Sequence, residues 1–554
     1  METFESIIAT LENFVWNFPE TVFGYQSLPL MVVVLLGFGI FITIRLGFIQ
    51  IRQFKYAFQV LTGRYDKPED KGDINHFQAL STALSATVGV GNIAGVALAI
   101  HIGGPGALFW MWVTAVFGMA IKFTECTLGA YYRQTNEDGS VSGGPMYYIE
   151  KGLGPNWKWL AVLFAIAASI CALLTGNAIQ ANTVADVMSS DFNVPVEITG
   201  LITASILAAV ILGGIKRIGY VTARLVPFMA VLYVLGGLII LLIHYDQIIP
   251  GFVTIFSMAF NPQAGALGVG SGALILTLSY GVQRGIFSNE AGQGSSPIAM
   301  AASKTDQPVR SGLVGLIGPF IDTIVVCTIT GLVIIVTGAW DSYHKTSVDP
   351  DGTEISYVVD EPYNGDDYII NFEYGVPVNG EIKRYDIPVD TMFVDDEYSQ
   401  PFEGIVEIND DIIAYDGDGL PVSTFYGGVV ENAAPLTSAA FAVGLEPLMP
   451  GGQYLVTIAV FFFVISTSIS WSYYGDRSFQ YLFGDRAIFY YRLLFVGMHL
   501  FGALIAVSVV WNFGDFMLGI MAFVNIIGLI FLSGMIYKIT KMYLDIGQKD
   551  KEDE

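Results

Sequence analysis

The residues best placed for chemistry in this 554-residue chain are mostly neutral oxygens and amides. The first group lies in 80–102, LSTALSATVGVGNIAGVALAIHI. This stretch is long and apolar enough to cross a bilayer. Yet Thr87, Gly89, Gly91, Asn92 and Gly95 fall within nine residues of one another. Each Gly inside a helix costs about 1 kcal/mol relative to Ala. One reading is a broken helix whose freed backbone groups bind something, which is tolerable at membrane depth only beside protein or a watery cavity. The other is a continuous helix that uses small residues for close packing.

Three further stretches share this character. In 461–478, FFFVISTSISWSYYGDRS, Ser466 and Thr467 follow Phe463 at i+3 and i+4. One helical turn can thus aim a carbonyl and two hydroxyls at one point. Hard oxygen ligands without a full carboxylate suit a dehydrated monovalent cation such as Na⁺. The competing reading is that such hydroxyls bond back to carbonyls of the preceding turn. Trp471 stands one turn on from Thr467, on the same face, and can wall a small pocket. In 175–186, TGNAIQANTVAD, the amides Asn177, Gln180 and Asn182 must bond to a neighbour or to a ligand. In 276–299, LTLSYGVQRGIFSNEAGQGSSPIA, Tyr280-Gly281 and Gly285 interrupt a second apolar run, and Asn289 and Glu290 follow.

These groups need elements to hold them, and composition names the class. The chain is 53% hydrophobic and 14% charged, with a mean hydropathy of +0.56. That is a polytopic helical membrane protein and not a soluble multidomain enzyme. Residues 1–20 carry acids and no Lys or Arg, so they do not form a secretory signal. We expect an amphipathic helix at the interface. Cys126, Cys171 and Cys327 lie in apolar runs and are expected as buried free thiols. The five histidines show no zinc spacing. No Ser/His or Cys/His pair or metal cluster falls within the spans, so we expect no enzyme and no cofactor.

Apolar runs predict eleven spans, at about 28–44, 80–102, 107–131, 159–187, 196–213, 226–244, 266–287, 313–339, 433–474, 488–510 and 516–537. The ninth is too long for a simple span and should include a lead-in segment. With the N-terminus outside, the cytoplasmic ends collect Arg45 through Lys71, Arg133, Lys151, Lys158, Lys216, Arg217, Arg224, Arg284, Lys304, Arg310, Arg477, Arg486, Arg492 and the tail lysines. This obeys the positive-inside rule. Lys122 is left over, three residues before Glu125 and able to pair with it. The count therefore predicts an N-out, C-in protein.

Net charge is −24. Residues 341–430 hold 21 acids against Lys345, Lys383 and Arg384, so this one segment supplies most of it. The orientation places it outside the cytoplasm. Its β-branched and aromatic residues between turns read as β-rich, and Asn379-Gly380 is a hairpin signal. Asp395-Asp396-Glu397 and Asp416-Gly-Asp418 invite a calcium reading, but no complete ligand loop is present, and a solvated acidic surface accounts for them.

Two Gly-interrupted spans, one early in each half, point to an inverted-repeat transporter with a midplane site. Once the first span is set aside, the breaks fall in core helices 1 and 6, five spans apart. An odd separation makes the two halves enter the membrane from opposite sides. The expected fold is all-α polytopic, with about eleven transmembrane helices, an inverted five-plus-five repeat, one extra N-terminal span and a β-rich extracytoplasmic insert. The expected divisions are 1–26, 27–72, 73–245, 246–340, 341–430, 431–540 and 541–554.

Five motifs carry a resemblance: NHFQALSTALSATVGVGNIAGVA, GGPMYYIEKGLG, TGNAIQANTVAD, RGIFSNEAGQGSSPIA and SISWSYYGDRS. Together, and in order over essentially all the spans, they resemble the alanine or glycine:cation symporter family, whose members are similar to the leucine-transporter fold. The resemblance implies an amino acid at the breaks of core helices 1 and 6, walled by core helices 3 and 8. Here those positions are Thr87, Gly89, Gly91 and Asn92, then Tyr280 and Gly281, then Gln180, then Thr467 and Trp471. It implies sodium held by carbonyls near Ala86 and Gly89 and by Phe463, Ser466 and Thr467. The acidic insert departs from compact family members.

The expected function is sodium-coupled import of a small neutral amino acid, alanine or glycine, through the inner membrane of a bacterium. The expected partners are that amino acid, Na⁺ and the lipid bilayer, without nucleic acid. Proton coupling is the nearest alternative. Sodium is preferred because Glu125 and Glu290 read as lying nearer the cytoplasmic side than the ion site. A non-transporting sensor using the external acidic segment is the alternative from another class.

Overall fold

The computed structural model describes Thr10, Phe18 and residues 29–552, apart from 68, 137–138, 262–272, 349, 351–354, 360–367, 385–386, 390, 396, 409–411 and 505–507. The interfacial helix expected in 1–26 lies, but for those two residues, outside the described residues.

Helix α1 (Leu30–Arg45) packs on α4 (Ala107–Tyr131). Between them lie α2 (His76–Thr87) and α3 (Gly91–Gly103). These are followed by α5 (Pro145–Leu153), α6 (Pro155–Phe192), α7 (Val196–Ile211), α8 (Gly214–Ile243) and α9 (Tyr245–Phe260). The second half comprises α10 (Ala273–Asn289), α11 (Ser296–Met300), α12 (Pro308–Val336), α13 (Ala433–Leu445), α14 (Gln453–Phe483), α15 (Ala487–Gly502) and α16 (Ser508–Glu552). By length and hydropathy, six described helices can cross a bilayer, and the bent pair α2–α3 makes a seventh. Four shorter apolar helices, α1, α7, α13 and α15, accompany them. Leu201 and Ile202 on α7 and Leu235 and Leu242 on α8 are exposed, as lipid-facing side chains would be. The chain is a mostly helical, polytopic membrane protein.

The break in 80–102 is real. Asn75 starts α2 with a reciprocal capping box, its Oδ1 accepting from the Gln78 N–H at 2.8 Å. The helix stops at Val88, which is extended, and α3 resumes at 56° to it through a π-helical turn, Gly91–Gly95. Further π-helical turns occupy Leu174–Ala178 in α6 and Phe320–Cys327 in α12. Such turns recur at functional sites because they widen the helix and free backbone groups.

The second break differs from expectation. α10 runs unbroken through Tyr280, Gly281 and Gly285 to Asn289. The interruption follows at Glu290, with Glu290, Gly292 and Gly294 all in left-handed backbone. Gly281 and Gly285 serve packing instead. A Cβ on Gly281 would lie 2.5 Å from the Ala107 carbonyl, and one on Gly285 3.1 Å from Thr114 Cβ. The ninth apolar run divides into α13 and α14, so its first part is indeed a separate segment.

Residues 344–429 form strands with their own apolar core around Ile370, Phe372, Phe402 and Phe425. The leading strand β1 (His344–Val348) pairs antiparallel with the returning strand β2 (Phe425–Val429), so this segment leaves and rejoins the helices at adjacent points. The Asn379-Gly380 hairpin does not form. The chain turns earlier, at Tyr374-Gly375, both with positive φ. Asn379 instead extends the ladder, accepting from the Asn371 N–H and donating to the Ile369 carbonyl, each at 2.7 Å.

Candidate functional site

A cavity of about 180 Å³ opens where the α2–α3 break meets α6, α10, α14 and α16. It is smaller than the roughly 300–1,000 Å³ that drug-sized ligands occupy, so it suits a small solute. Ala86, Thr87, Gly89 and Gly91 line one side. Thr175 and Gln180 come from the π-helical region of α6, and Thr467 and Trp471 from α14. Of the residues expected at the site, these seven (Ala86, Thr87, Gly89, Gly91, Gln180, Thr467 and Trp471) share the cavity wall. Asn92, Tyr280, Gly281, Phe463 and Ser466 are not among the lining residues.

Asn92 is fully buried and turned away from the cavity. Its Oδ1 accepts from the Gly89 N–H at 2.9 Å and so caps the start of α3. Its Nδ2 donates to Asp322 Oδ1 at 2.7 Å and to Ser288 Oγ at 3.1 Å. Ser288 and Thr323 also donate to the same carboxylate. Asn92 therefore holds the break open by tying α3 to α10 and α12. Asn177 has a similar structural post, bonded to the Phe495 carbonyl and to His499.

The hydroxyl turn of α14 meets α2 edge to edge. Ser85 Oγ donates to the Ser466 carbonyl at 2.6 Å, and Thr467 Oγ1 donates to the Ser85 carbonyl at 3.2 Å. Ser466 Oγ donates to the Phe463 carbonyl at 2.9 Å. A Cβ on Gly89 would stand 2.8 Å from Thr467 Oγ1. Only glycine lets the break approach that hydroxyl so closely. Ser85, which the sequence did not single out, contributes the carbonyl on which both hydroxyls converge.

Sequence reasoning missed several members of the wall. Arg284, Phe287, Glu290 and Gln293 line it from α10 and the residues after it, and Asp515 and Leu518 line it from α16. Arg284 stacks over Phe287, its guanidinium carbon 5.4 Å from the ring centroid. Arg284, which the charge pattern assigns to the cytoplasmic ends, lines the cavity because α10 continues past it to Asn289. Glu290 also faces the cavity, so distance from the ion site is no argument against it as a proton carrier. An acid inside an apolar span, such as Asp515, is by default a functional candidate, and that signal was available.

Behind Glu290 lies a buried polar network. Ser295 donates to Glu290. Lys122 bonds to Ser296 and lies 3.8 Å from Glu125, the pairing expected from their spacing. Asn525 joins Glu125 to the Gly292 carbonyl at 3.0 and 2.8 Å. The network fixes the left-handed turn that separates α10 from α11.

Among the described residues, no group of three or more His, Cys, Asp or Glu could hold a metal ion. In the strand segment, Asp396 lies outside the described residues. Asp395 accepts from Ser399 Oγ at 2.6 Å, a bond that holds its carboxyl below the ordinary aspartate pKa. Asp416 closes a turn through the Asp418 and Leu420 N–H groups. The three cysteines are free and buried.

The profile of the sodium:alanine symporter family matches residues 1–358 and 422–554, leaving out the middle of the strand segment. The chain is 42% identical to the sodium/alanine symporter AgcS of Methanococcus maripaludis over 550 residues, 99% of each chain. It is 30% identical to the amino-acid carrier protein AlsT of Bacillus subtilis over 542 residues, 98% of this chain and 92% of that one. It is also 30% identical to the probable sodium/glutamine symporter GlnT of the same organism over 545 residues, 97% and 90% of the two chains. The family and these relatives are transporters and not enzymes. On this combination of full-length similarity and profile match, the chain belongs to the sodium:alanine symporter family.

Proposed function

We propose that this protein couples inward sodium flow to uptake of a small neutral amino acid, alanine or glycine, by alternating access. Eleven crossings serve this reading: α1, α2–α3, α4, α6, α7, α8, α10–α11, α12, α14, α15 and α16. The N-terminus is outside, the C-terminus inside, and the strand segment outside the cytoplasmic membrane. Two inverted five-helix repeats then begin at α2 and α10.

The substrate carboxylate faces the N–H groups of Val90 and Gly91, because the first N–H groups of a helix lack intrahelical acceptors and favour anions, while the Gly89 N–H is taken by Asn92 Oδ1. Gln180 Oε1 is buried and has no hydrogen-bond partner among the described residues, which suits it to the ammonium group. Trp471 bounds the side-chain end. Sodium takes the Ala86 and Gly89 carbonyls, the Phe463 carbonyl and the Ser466 and Thr467 hydroxyls. The observation that carries the reading is the Gly89–Thr467 approach. It brings the break that lines the cavity against the hydroxyl turn of α14, so the proposed ion and substrate groups share Gly89 and Thr467. Filling one site then orders the other, which is how binding of both favours the closed state.

Uptake of labelled alanine into proteoliposomes, with an inward Na⁺ gradient at fixed pH, tests this. Replacing Na⁺ by choline should reduce uptake to background. Unchanged uptake would remove the sodium claim. Proton coupling is a second reading, favoured by Glu290 on the cavity wall. It predicts uptake driven by an inward pH gradient without Na⁺.

A further inference from the structure

At the end opposite the strand segment, Arg133 joins four carbonyl groups. It follows α4, and one guanidinium nitrogen donates to the Ala301 and Ser303 carbonyls at 2.9 and 2.7 Å. The other donates to the Lys71 and Thr305 carbonyls at 2.9 and 2.6 Å. The two segments it bridges lead into α2 and out of α11. They also pair directly, Ile74 against Ser303 in a parallel bridge. The Asp73 N–H donates to the Ala302 carbonyl at 2.8 Å, Lys304 N–H to the Ile74 carbonyl at 2.8 Å, and Thr305 N–H to the Lys71 carbonyl at 3.0 Å. A Cβ on Gly72 would lie 2.5 Å from the Ser303 carbonyl, so the contact has no slack. Ser303 Oγ continues to Ser311 Oγ on α12 at 2.6 Å.

Beside this knot lies a second cavity of about 670 Å³, bounded by Asp73 and Ser140 on one side and by Lys216, Gln480, Asp485 and Arg492 on the other. Next to that wall, Ser142 bonds by its side chain to two of the lining residues. It donates to Gln480 Oε1 at 2.9 Å and accepts from Arg477 at 3.3 Å. Gln480 in turn donates to Asp485 at 2.6 Å. Side-chain bonds of this kind rearrange without moving backbone, whereas the Arg133 knot is built on main-chain carbonyls and a fixed guanidinium fork.

We propose that Arg133 is a positioning residue that welds the inner halves of both broken helices into one moving body. The inner path then opens along the polar cleft between that body and α8, α14 and α15, released at Ser142–Gln480. α2 does not swing away from α11. This rests on the alternating-access reading above.

The test compares two cysteine pairs in a chain whose Cys126, Cys171 and Cys327 are replaced by Ala. Ile74→Cys with Ser303→Cys spans the knot, and Ser142→Cys with Gln480→Cys spans the cleft. Each is joined by a short bifunctional thiol reagent in proteoliposomes. Linking the knot should leave at least half of sodium-driven alanine uptake. Linking the cleft should lower it at least tenfold. The reverse pattern, or equal loss in both, overturns the proposal. The unlinked proteins report separately on the function, because absent uptake there condemns that reading and not the weld. Spin-label distances cover that case. Labels at Lys71 and Lys304 should keep one distance with and without Na⁺ and amino acid, while labels at Ser140 and Lys216 shift by several ångströms. A second population across the knot, or no shift across the cleft, overturns the weld. Arg133→Gln should broaden the Lys71–Lys304 distance, which a residue outside the weld would not do.

Discussion

A Cβ placed on Gly176 would lie 2.4 Å from Cγ of Trp471. The indole that walls the cavity is thus seated directly on the π-helical turn of α6, with only a hydrogen atom between backbone and ring. Gly176→Ala should push the ring into a cavity of about 180 Å³. Overpacking of this kind costs about 1–3 kcal/mol, so alanine uptake should fall about tenfold or more. Adding Trp471→Leu should relieve the clash and let larger neutral amino acids compete. A competition assay across side-chain sizes checks both, and unchanged selectivity in the double variant would detach Trp471 from specificity.

Thr467 reaches the break through its hydroxyl alone. Thr467→Val keeps the branched shape and removes the oxygen that faces Gly89 and bonds the Ser85 carbonyl. The sodium concentration for half-maximal uptake should rise about tenfold, with the amino-acid KM at saturating sodium little changed. Titrating Na⁺ at fixed alanine measures the first, and titrating alanine at high Na⁺ the second. Equal change in both would mean general damage to the α2–α14 contact.

Gln180 carries on the cavity wall a buried Oε1 that has no partner among the described residues. A hydrogen bond to a charged group contributes about 1.5–3 kcal/mol. Gln180→Leu should therefore raise the amino-acid KM about 10- to 100-fold, with a smaller effect on maximal rate. Uptake kinetics decide it. A fall in maximal rate at constant KM would assign Gln180 to the movement and not to the substrate.

The strand segment leaves at Val348 and returns at Phe425, which face each other across the β1–β2 ladder. Replacing 349–424 by a two-residue Asn-Gly turn should close that ladder as a plain hairpin. Sodium-driven uptake should persist at half the parent rate or better in proteoliposomes of equal protein content. Complete loss, with the truncated protein still folded, would tie the segment to transport or to sensing.

Local rules made much of this architecture readable from the chain. Glycines inside an apolar run disfavour helix wherever they fall, so the break at 88–90 was visible. The i+3, i+4 spacing of Ser466 and Thr467 after Phe463 is a property of any helix, so their common face was visible too. The same glycine signal misled at Tyr280-Gly281. A glycine that breaks a helix and one that admits a neighbouring backbone look alike in sequence, and only the Ala107 carbonyl beside Gly281 tells them apart. Asn92 was likewise placed at the right break but on the wrong side of it, because its partner Asp322 is 230 residues away.

What the sequence by itself determined was class and periodicity. Hydropathy marked the class of apolar, membrane-crossing helices, glycine and hydroxyl spacing marked two of the site's walls, and five ordered motifs pointed to the family. These follow from nearest-neighbour physics along one helix. The tertiary structure decided which of those residues meet. The cavity wall joins Thr87, Gln180, Arg284, Thr467 and Asp515 from five separate helices, and Glu290 from the turn after α10. Arg133 ties Lys71 to Thr305 across more than two hundred residues. The polarity of a buried site is a sum over such distant neighbours, and no window of local sequence contains it.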